Sequence, residues 1–436
     1  MAPPLKVLIC GGGIAGPSLA LWLTRVGCSV TVIERSSQLR ASGQQIDIRA
    51  QGVTVMRKMG IEAAIRAHLV DEPGTQLIDS TGKQMAYFAA NKSGEGAQSI
   101  TSEFEIMRGD LCHILHDATK DKTKYIFGVH VTGFEQLDGT EGVRAHFSDG
   151  TEDTYDLLVG ADGQNSEIRR LMLAQDGAGD QLVRKGMNYA WFSIPSQEGD
   201  TNLYTLYPSP RRRLTATRKD KPETLRIYLI ASTKSLSDDH PLQQAHKSGT
   251  LEEIKKAWVD HYRDAGWQME RFLQQIDSSE ASDFYSCEFV QVNLDTYSQG
   301  RVALVGDAAT CASPIGGMGT AIALVGAYCF AGEIARHCKL SVDGQTDPTD
   351  EPRDGLAAAL KAYEETYRPF VTKTQRFLPR LPDIFMPESS WGVWIMTRII
   401  WFAMILRVDK LLSMLAPDVG GWDLPEYPEL GTIQVK

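Results

Sequence analysis

Three observations predict an α/β fold. A glycine turn, Gly11–Gly16, joins a short apolar strand to an apolar helix. The stretch from about Gly186 to Ser232 is rich in the Tyr, Trp, Phe, Thr and Ile residues that favour antiparallel strands. Helical patterning then runs to the C-terminus. Together they describe a Rossmann-type nucleotide-binding unit, an interleaved antiparallel β-sheet and a helical C-terminal segment. At 436 residues the chain exceeds what one hydrophobic core usually supports, so two intertwined domains are expected.

Taken in order, Lys6–Cys10 is a buried strand, Ile14–Val26 has helical apolar spacing, and Gly27 ends it. Ser29–Ile33, closed by Glu34, completes a βαβ unit. A glycine-containing loop, Ala41–Arg49, leads to another strand, and Gly52–His68 reads as one helix. Asp71–Ala90 and Gln98–Phe104 alternate as strands of a second layer, and Met107–Thr119 is helical. Tyr125–Phe147 holds two or three strands with turns at Asp138–Gly139 and Asp149–Gly150. Leu157–Gly160 and Val302–Val305 are continuous apolar strands. Leu251–Ile276 and Gly319–His337 read as helices, and Ser341–Arg353 as a surface loop.

Hydrophobic residues at 42% and charged residues at 23% are ordinary for a globular protein. The net charge of −10, without a basic run, argues against a nucleic-acid partner. The triplet Arg211–Arg213 reads as a solvated loop. Seven cysteines with no CxxC pair fit reduced thiols, with Cys10 in the core. The N-terminus lacks a charged leader and a separate cleavable apolar stretch, so a cytoplasmic location is expected. Trp391–Leu415 is strongly apolar but interrupted by Arg398 and Arg407. A packed C-terminal helix is the expected reading. Peripheral membrane contact through 391–415, or a greasy substrate entrance, is the alternative.

The chemistry begins at Gly11-Gly12-Gly13-Ile14-Ala15-Gly16. Gly11 permits the turn, Gly13 lets backbone approach a pyrophosphate, and Gly16 lets helix and strand pack; Ala15 lies on the same loop. The helix N-terminus then favours the anion. Glu34 ends the next strand, where a carboxylate binds ribose hydroxyls and disfavours a ribose phosphate. FAD and NAD satisfy these residues equally well.

A second motif is Gly160-Ala161-Asp162-Gly163-Gln164-Asn165-Ser166, followed by Arg169. A third is Gly306-Asp307-Ala308-Ala309, followed by Pro314-Ile315-Gly316-Gly317-Met318-Gly319-Thr320. In this order, over nearly the whole chain, the three resemble the FAD-dependent aromatic hydroxylases, the single-component flavoprotein monooxygenases that include para-hydroxybenzoate hydroxylase. The tetracycline-oxidising branch and related fungal enzymes of secondary metabolism look closest.

The resemblance implies a discontinuous FAD-binding domain (1–71, 106–172 and 297–372). It implies a substrate-binding β-sheet domain (72–105 and 173–296) and a C-terminal helical segment (373–436). It places Arg108, with Leu111 and Leu115 after it, against the FAD ribityl–pyrophosphate region, and Asp307 on a ribityl hydroxyl. Backbone N–H groups at Gly317, Met318, Gly319 and Thr320 would face the pyrimidine end of the flavin. Asp162 would lie near the cofactor and serve nicotinamide binding, and Arg35 and Asp47 would contact FAD. Two positions depart from the family pattern: Ala321 stands where many members carry Asn, and Gly326 where an acidic residue is common.

No second GxGxxG provides a stable nicotinamide domain, so NAD(P)H is expected to bind transiently, reduce the flavin and leave. The implied activity inserts one atom of dioxygen into an electron-rich small molecule such as a phenol, enol, indole or alkene. The protein is expected as a monomer or weak dimer, with no metal site. The substrate surface is expected on Tyr189–Ile194, Leu203–Tyr207, Thr215–Arg218 and Arg226–Ile230, with Trp191 and Phe192 shaping an apolar pocket. Arg218 and Tyr228 are candidates for binding or deprotonating a substrate hydroxyl, and read equally well as solvent-facing strand residues. An FAD-bound cyclase or isomerase without redox turnover is the alternative, and an NAD-dependent dehydrogenase a third reading.

Overall fold

The computed structural model describes residues 3–39, 43–90, 103–137, 142–175, 177, 179–234, 236–276, 283–312, 317–340, 355–375, 384–406 and 422–431. Its first sheet is built on β1 (Lys6–Cys10). This strand lies parallel to β2 (Ser29–Glu34) on one side and to β11 (Leu157–Gly160) on the other. With β7 (Thr123–Phe127), β17 (Ser298–Gln299) and β18 (Val302–Leu304) the order is β17-β18-β11-β1-β2-β7. β11 and β18 are buried at every residue, so they read as unbroken apolar runs. The helices α1 (Ala15–Arg25) and α10 (Gly319–His337) pack together over this sheet, and α11 (Leu356–Thr374) lies against α10. Glu333 is buried within α10, where its carboxylate accepts hydrogen bonds from the Tyr427 and Thr366 hydroxyls.

The second sheet has the order β16-β12-β15-β14-β13-β4-β5. Its strands are β4 (Gly74–Ile78), β5 (Gln84–Ala89), β12 (Leu182–Pro195), β13 (Tyr204–Ser209), β14 (Arg213–Lys221), β15 (Thr224–Ser232) and β16 (Tyr285–Val292). The expected antiparallel pairing holds except at β13–β4, which is parallel. β4 reaches β13 from a distant part of the chain rather than through a hairpin, so no tight turn dictates its direction. One face packs Ala190, Phe192, Ile227 and Leu229 against α6 (Pro241–Ser248), α7 (Leu251–Tyr262) and α8 (Met269–Gln275). The other face looks toward the Rossmann unit. Strand alternation sends Phe192 to the helical side, so only Trp191 of the expected aromatic pair faces the site.

A small ribbon links the layers. β3 (Gln45–Asp47) pairs antiparallel with β6 (Glu105–Met107), which runs directly into α4 (Arg108–Asp117). A separate three-stranded sheet, β8 (Val131–Gln136), β9 (Val143–Phe147) and β10 (Glu152–Tyr155), completes the fold, with α5 (Glu167–Gln175) after β11.

Some elements divide differently from the sequence reading. Gly60, in a left-handed C-cap at φ 78°, splits the expected Gly52–His68 helix into α2 (Gln51–Met59) and α3 (Glu62–Arg66). Gly266 and Trp267, at φ 84° and 51°, likewise separate α7 from α8. The triplet Arg211–Arg213 is not simply solvated. Arg211 and Arg212 form the β13–β14 turn with φ of 63° and 55°, while Arg213 is buried, bonding the His261 carbonyl and Asp264 at 2.6 and 2.7 Å. The Asp138–Gly139 turn, the Ser341–Arg353 loop and most of the Gln98–Phe104 strand lie outside the described residues. All seven cysteines are free, and Cys10 is buried in the core.

The apolar C-terminal run is described to residue 406 and forms α12 (Ser390–Ile405). It packs on β5 and β13, burying Met396 and Thr397. It is not the enclosed helix the sequence suggests, because Trp391, Trp394, Ile399 and Phe402 remain 53–73% exposed. No helix among the described residues is long and apolar enough to cross a membrane.

Candidate cofactor and substrate site

The three motifs, far apart in sequence, meet at the C-terminal ends of β1, β11 and β18. Gly11 has φ 123°, and a Cβ there would overlap the Ala161 carbonyl of the second motif; one on Gly16 would overlap the Gly11 carbonyl. The third motif joins where Val305 N–H donates to the Gly160 carbonyl at 2.9 Å. Gly306, at φ 60°, packs its Cα against Ala15 so closely that a Cβ would lie 2.6 Å from the Ala15 Cβ. Arg169 fastens the second motif to the third. It is fully buried, donates to the Gln164 and Ala308 carbonyls at 2.6 and 3.0 Å, and pairs with Asp180 at 2.7 Å.

Side chains of the expected cofactor site cluster around this junction. Glu34 accepts from Gly12 N–H at 2.8 Å and from Ser36 N–H at 2.9 Å, which fixes its carboxylate at the mouth of the glycine turn. Arg108 opens α4; its guanidinium is the nearest group to the space above Gly13, and its charge reaches Asp307. Asp307 begins α9 (Asp307–Thr310) and makes no side-chain hydrogen bond among the described residues. Burial pushes its carboxyl up to about 6, with Arg108 and Arg169 pulling the other way. Arg35 is exposed beside Glu34. The Asp162 carboxylate is occupied elsewhere: it accepts from Ser166 Oγ and from the Glu167 and Ile168 N–H groups, capping α5. What Asp162 presents to the junction is backbone, next to Gly11.

Met318, Gly319 and Thr320 form the start of α10. Its first turn holds no acidic residue and its N-cap makes no side-chain hydrogen bond, so among the described residues no side chain caps its leading N–H groups. Gly317, at φ 60°, abuts Asp47 and Arg49. Residues 314–316 lie outside the described residues. Both departures from the family pattern have packing causes. Ala321 is buried tightly against Gly52 of α2, and the space a side chain at Gly326 would need is filled by the Tyr367 ring, whose hydroxyl donates to the Ile322 carbonyl at 2.8 Å.

Opposite lies the open face of the second sheet. Register puts Tyr189 and Trp191 of β12, Arg226, Tyr228 and Ile230 of β15, Ala216 and Arg218 of β14, and Tyr204 and Leu206 of β13 on this face. Arg218 is neither solvent-facing nor open. Its guanidinium pairs with Glu72 at 3.1 Å and Glu105 at 3.5 Å and stacks 3.9 Å from the centre of the Tyr204 ring. Glu105 stands directly across the ribbon from Asp47, and the two carboxyls hydrogen-bond. Burial and that neighbour hold Asp47 well above the usual carboxylate range, which favours its protonated form beside Glu105. Arg49 lies 2.7 Å from Asp47, and Gln45 donates to Glu105 at 2.6 Å. Tyr228 is half-buried opposite Trp191, within reach of the Arg218 charge. Glu72, Glu105 and Gln45 escape a motif search. The visible signal is Glu105 itself, a charge inside the apolar run Phe104-Glu105-Ile106-Met107.

Comparisons with known proteins agree with this geometry. Residues 4–347 match the family model described as FAD binding domain. The chain is 40% identical to the FAD-dependent monooxygenase asL4 of Sarocladium schorii and to the flavin-dependent monooxygenase eupH of a Phoma species. In each case the match covers 98% of this chain and 99% of the relative. Among solved structures, tetracycline destructase Tet(55) superposes with a TM-score of 0.77 at 27% identity, covering 98% of this chain and all of that one.

Proposed function

The chain belongs to the FAD-dependent monooxygenases, and on that premise we propose that it uses NAD(P)H and dioxygen to hydroxylate or epoxidise an electron-rich small molecule. The classes favoured are phenols, enols, indoles and alkenes, in the setting of fungal secondary metabolism. The observation that carries the cofactor assignment is Asp307. A carboxylate pushed up to about 6 by burial, with no hydrogen bond from the described residues, is a costly arrangement unless a ligand hydroxyl completes it. That fits the ribityl chain of FAD. The cradle of Gly11, Gly13, Ala15 and Gly16 fits its pyrophosphate, and Glu34 its ribose.

When bound, FAD supplies the redox chemistry: it accepts a hydride from NAD(P)H and passes electrons to dioxygen. The protein's part is to bind, orient and exclude water. Arg108 supplies positive charge beside Gly13 and Asp307. The start of α10, at Gly317, Met318, Gly319 and Thr320, offers N–H donors and the positive helix end to the negative charge of the reduced ring. Arg35, beside Glu34, and Asp47, beside Gly317, would contact FAD when it is bound. Asp162 contributes through its backbone and through the α5 cap. On the substrate side Tyr189, Trp191, Leu206 and Ile230 offer an apolar and aromatic wall. Tyr228 offers the hydroxyl that orients a substrate oxygen, while Arg218 is a positioning residue that holds Glu72 and Glu105 in place.

We read α12 as the apolar margin of the substrate entrance, since it rests on the sheet edge and leaves large aromatic side chains bare; co-sedimentation with liposomes tests whether it also touches a membrane. The reading of the reaction is tested by NAD(P)H consumption and oxygen uptake against phenols, indoles and polyketides. Addition of one oxygen atom to the product supports it. Product formed anaerobically without reductant refutes it in favour of a cyclase or isomerase.

A further inference from the structure

Among the described residues, the cations of the substrate face are already paired within the protein. Arg218 is held by Glu72 and Glu105, and Arg49 by Asp47. Arg226 donates to the Gly43 carbonyl at 2.8 Å, lies 3.7 Å from Asp283 and covers the Trp191 ring at 4.8 Å. Around the β3–β6 ribbon stand three carboxyls, Asp47, Glu72 and Glu105, and two guanidiniums, Arg49 and Arg218. Asp47 and Glu105 hydrogen-bond to each other, and the two guanidiniums are divided among the three carboxyls. Both glutamates and Arg218 are at most 8% exposed, so none can swing out to meet a ligand without leaving another charge buried and unpaired.

A favoured way to seize a carboxylate inside a protein is an arginine whose fork is open to it, because a bidentate guanidinium–carboxylate pair fixes both orientation and affinity. Here the fork of Arg218 is filled from within. A substrate carboxylate placed on this face would compete with Glu72 and Glu105 and would lie close to their charges. Beside them the face carries Tyr189, Trp191, Leu206, Ala216, Tyr228 and Ile230, and the Ser193 hydroxyl, which donates to Asp283.

We propose that this site takes an uncharged substrate: a phenol, enol or indole whose reacting ring bears no carboxylate. Glu72 and Glu105 already engage the guanidinium that a substrate carboxylate would need. This selectivity rests on the monooxygenase reading of the same face, and it concerns binding rather than turnover.

The test uses the oxidised, FAD-loaded enzyme without NAD(P)H, titrated with 2,4-dihydroxybenzaldehyde and with 2,4-dihydroxybenzoate, and reads the perturbation of flavin absorbance. The aldehyde is expected to bind at least about tenfold more tightly, equivalent to about 1.4 kcal/mol. Glu72→Gln frees one arm of Arg218 and is expected to bring the two affinities to within about threefold; Glu105→Gln serves as a second variant with the same expected direction. Wild-type enzyme that binds the benzoate as tightly as the aldehyde overturns the proposal. So does a folded Glu72→Gln or Glu105→Gln enzyme that keeps the full preference. An aldehyde that binds but stimulates no oxygen uptake counts against hydroxylation of such phenols and leaves the charge preference standing.

Discussion

Replacing Asp307 with asparagine separates the stability of the empty protein from its affinity for the cofactor. A carboxyl raised from 3.8 to about 6 binds its proton more tightly folded than unfolded, by about 3 kcal/mol. Its contribution to stability is therefore complete below about pH 4 and is lost as pH rises through 6. At pH 7.5 the ionised group costs the FAD-free protein about 3 kcal/mol, because burial outweighs the pull of Arg108 and Arg169. The asparagine side chain has no charge to bury. Asp307→Asn is expected to raise the stability of the FAD-free protein by about 2–3 kcal/mol at pH 7.5 and to change it little at pH 4. With an unfolding entropy of about 2.1 cal/mol/K per residue, that is a rise in Tm of about 2–3 °C. The same change removes a charge-assisted hydrogen bond to the cofactor worth about 1.5–3 kcal/mol, so FAD is expected to bind about 10- to 150-fold more weakly. Thermal melts of FAD-free protein at both pH values, with FAD titrations read by quenching of flavin fluorescence, give the two numbers. A variant less stable than wild type at pH 7.5, or one that binds FAD unchanged, refutes the assignment of Asp307.

Three further outcomes follow from the same geometry. Gly16→Ala drives a methyl group into the Gly11 carbonyl, and the protein is expected to purify colourless; the ratio of flavin to protein absorbance measures this. Arg169→Met takes its guanidinium from Asp180 and from the Gln164 and Ala308 carbonyls, and so removes the link between the second and third motifs. It is expected to cost about 2–4 kcal/mol in chemical denaturation, from the carbonyls left without their donor, with FAD retention lost alongside. Asp47→Asn preserves a donor toward Glu105 but cannot ionise. Since the Asp47 carboxyl is raised, the stability it confers is lost as pH climbs. The variant should match wild type in mildly acidic buffer and exceed it in alkaline buffer, as read by Tm; the reverse order would show that Asp47 is not held in its protonated form.

The Rossmann half was legible because its constraints are local. A tight turn demands Gly11, a parallel buried strand demands an unbroken apolar run, and both leave short patterns in sequence. The cofactor candidates share that property, since each sits within or beside a motif. Asp162 shows its limit: residue type and position suggested a ligand contact, while its carboxylate caps α5 through groups four to six residues downstream. The substrate face was legible as strands but not as a site. Arg218 looked like an available cation because its partners, Glu72 and Glu105, lie more than a hundred residues away. The helix boundaries missed at Gly60 and Gly266 were set by left-handed residues, Gly60 alone and Gly266 with Trp267, inside runs whose apolar spacing continued past them. For α12 the composition was read correctly and the burial was not, because spacing cannot tell which partner, if any, covers an apolar helix.

The residue joining the two halves has no motif of its own. Gly43 lies in a loop that the sequence marks only as a connector. Its carbonyl accepts the Arg226 guanidinium from the substrate sheet at 2.8 Å, and a Cβ there would lie 2.9 Å from the Arg108 Cβ. Arg108 in turn stands beside Gly13 and Asp307, and Arg226 covers Trp191. Contacts therefore run without a gap from the cofactor cradle to the substrate wall through one residue. A side chain at this position would push Arg108 away from the cradle. Glycine is needed here for close approach rather than for a special backbone angle, since Gly43 is absent from the residues with positive φ. Two arginines from different layers converge on it, and the space they require leaves no room for a third side chain. The approach of Arg108 and Arg226 to one another thus depends on the absence of a side chain at Gly43.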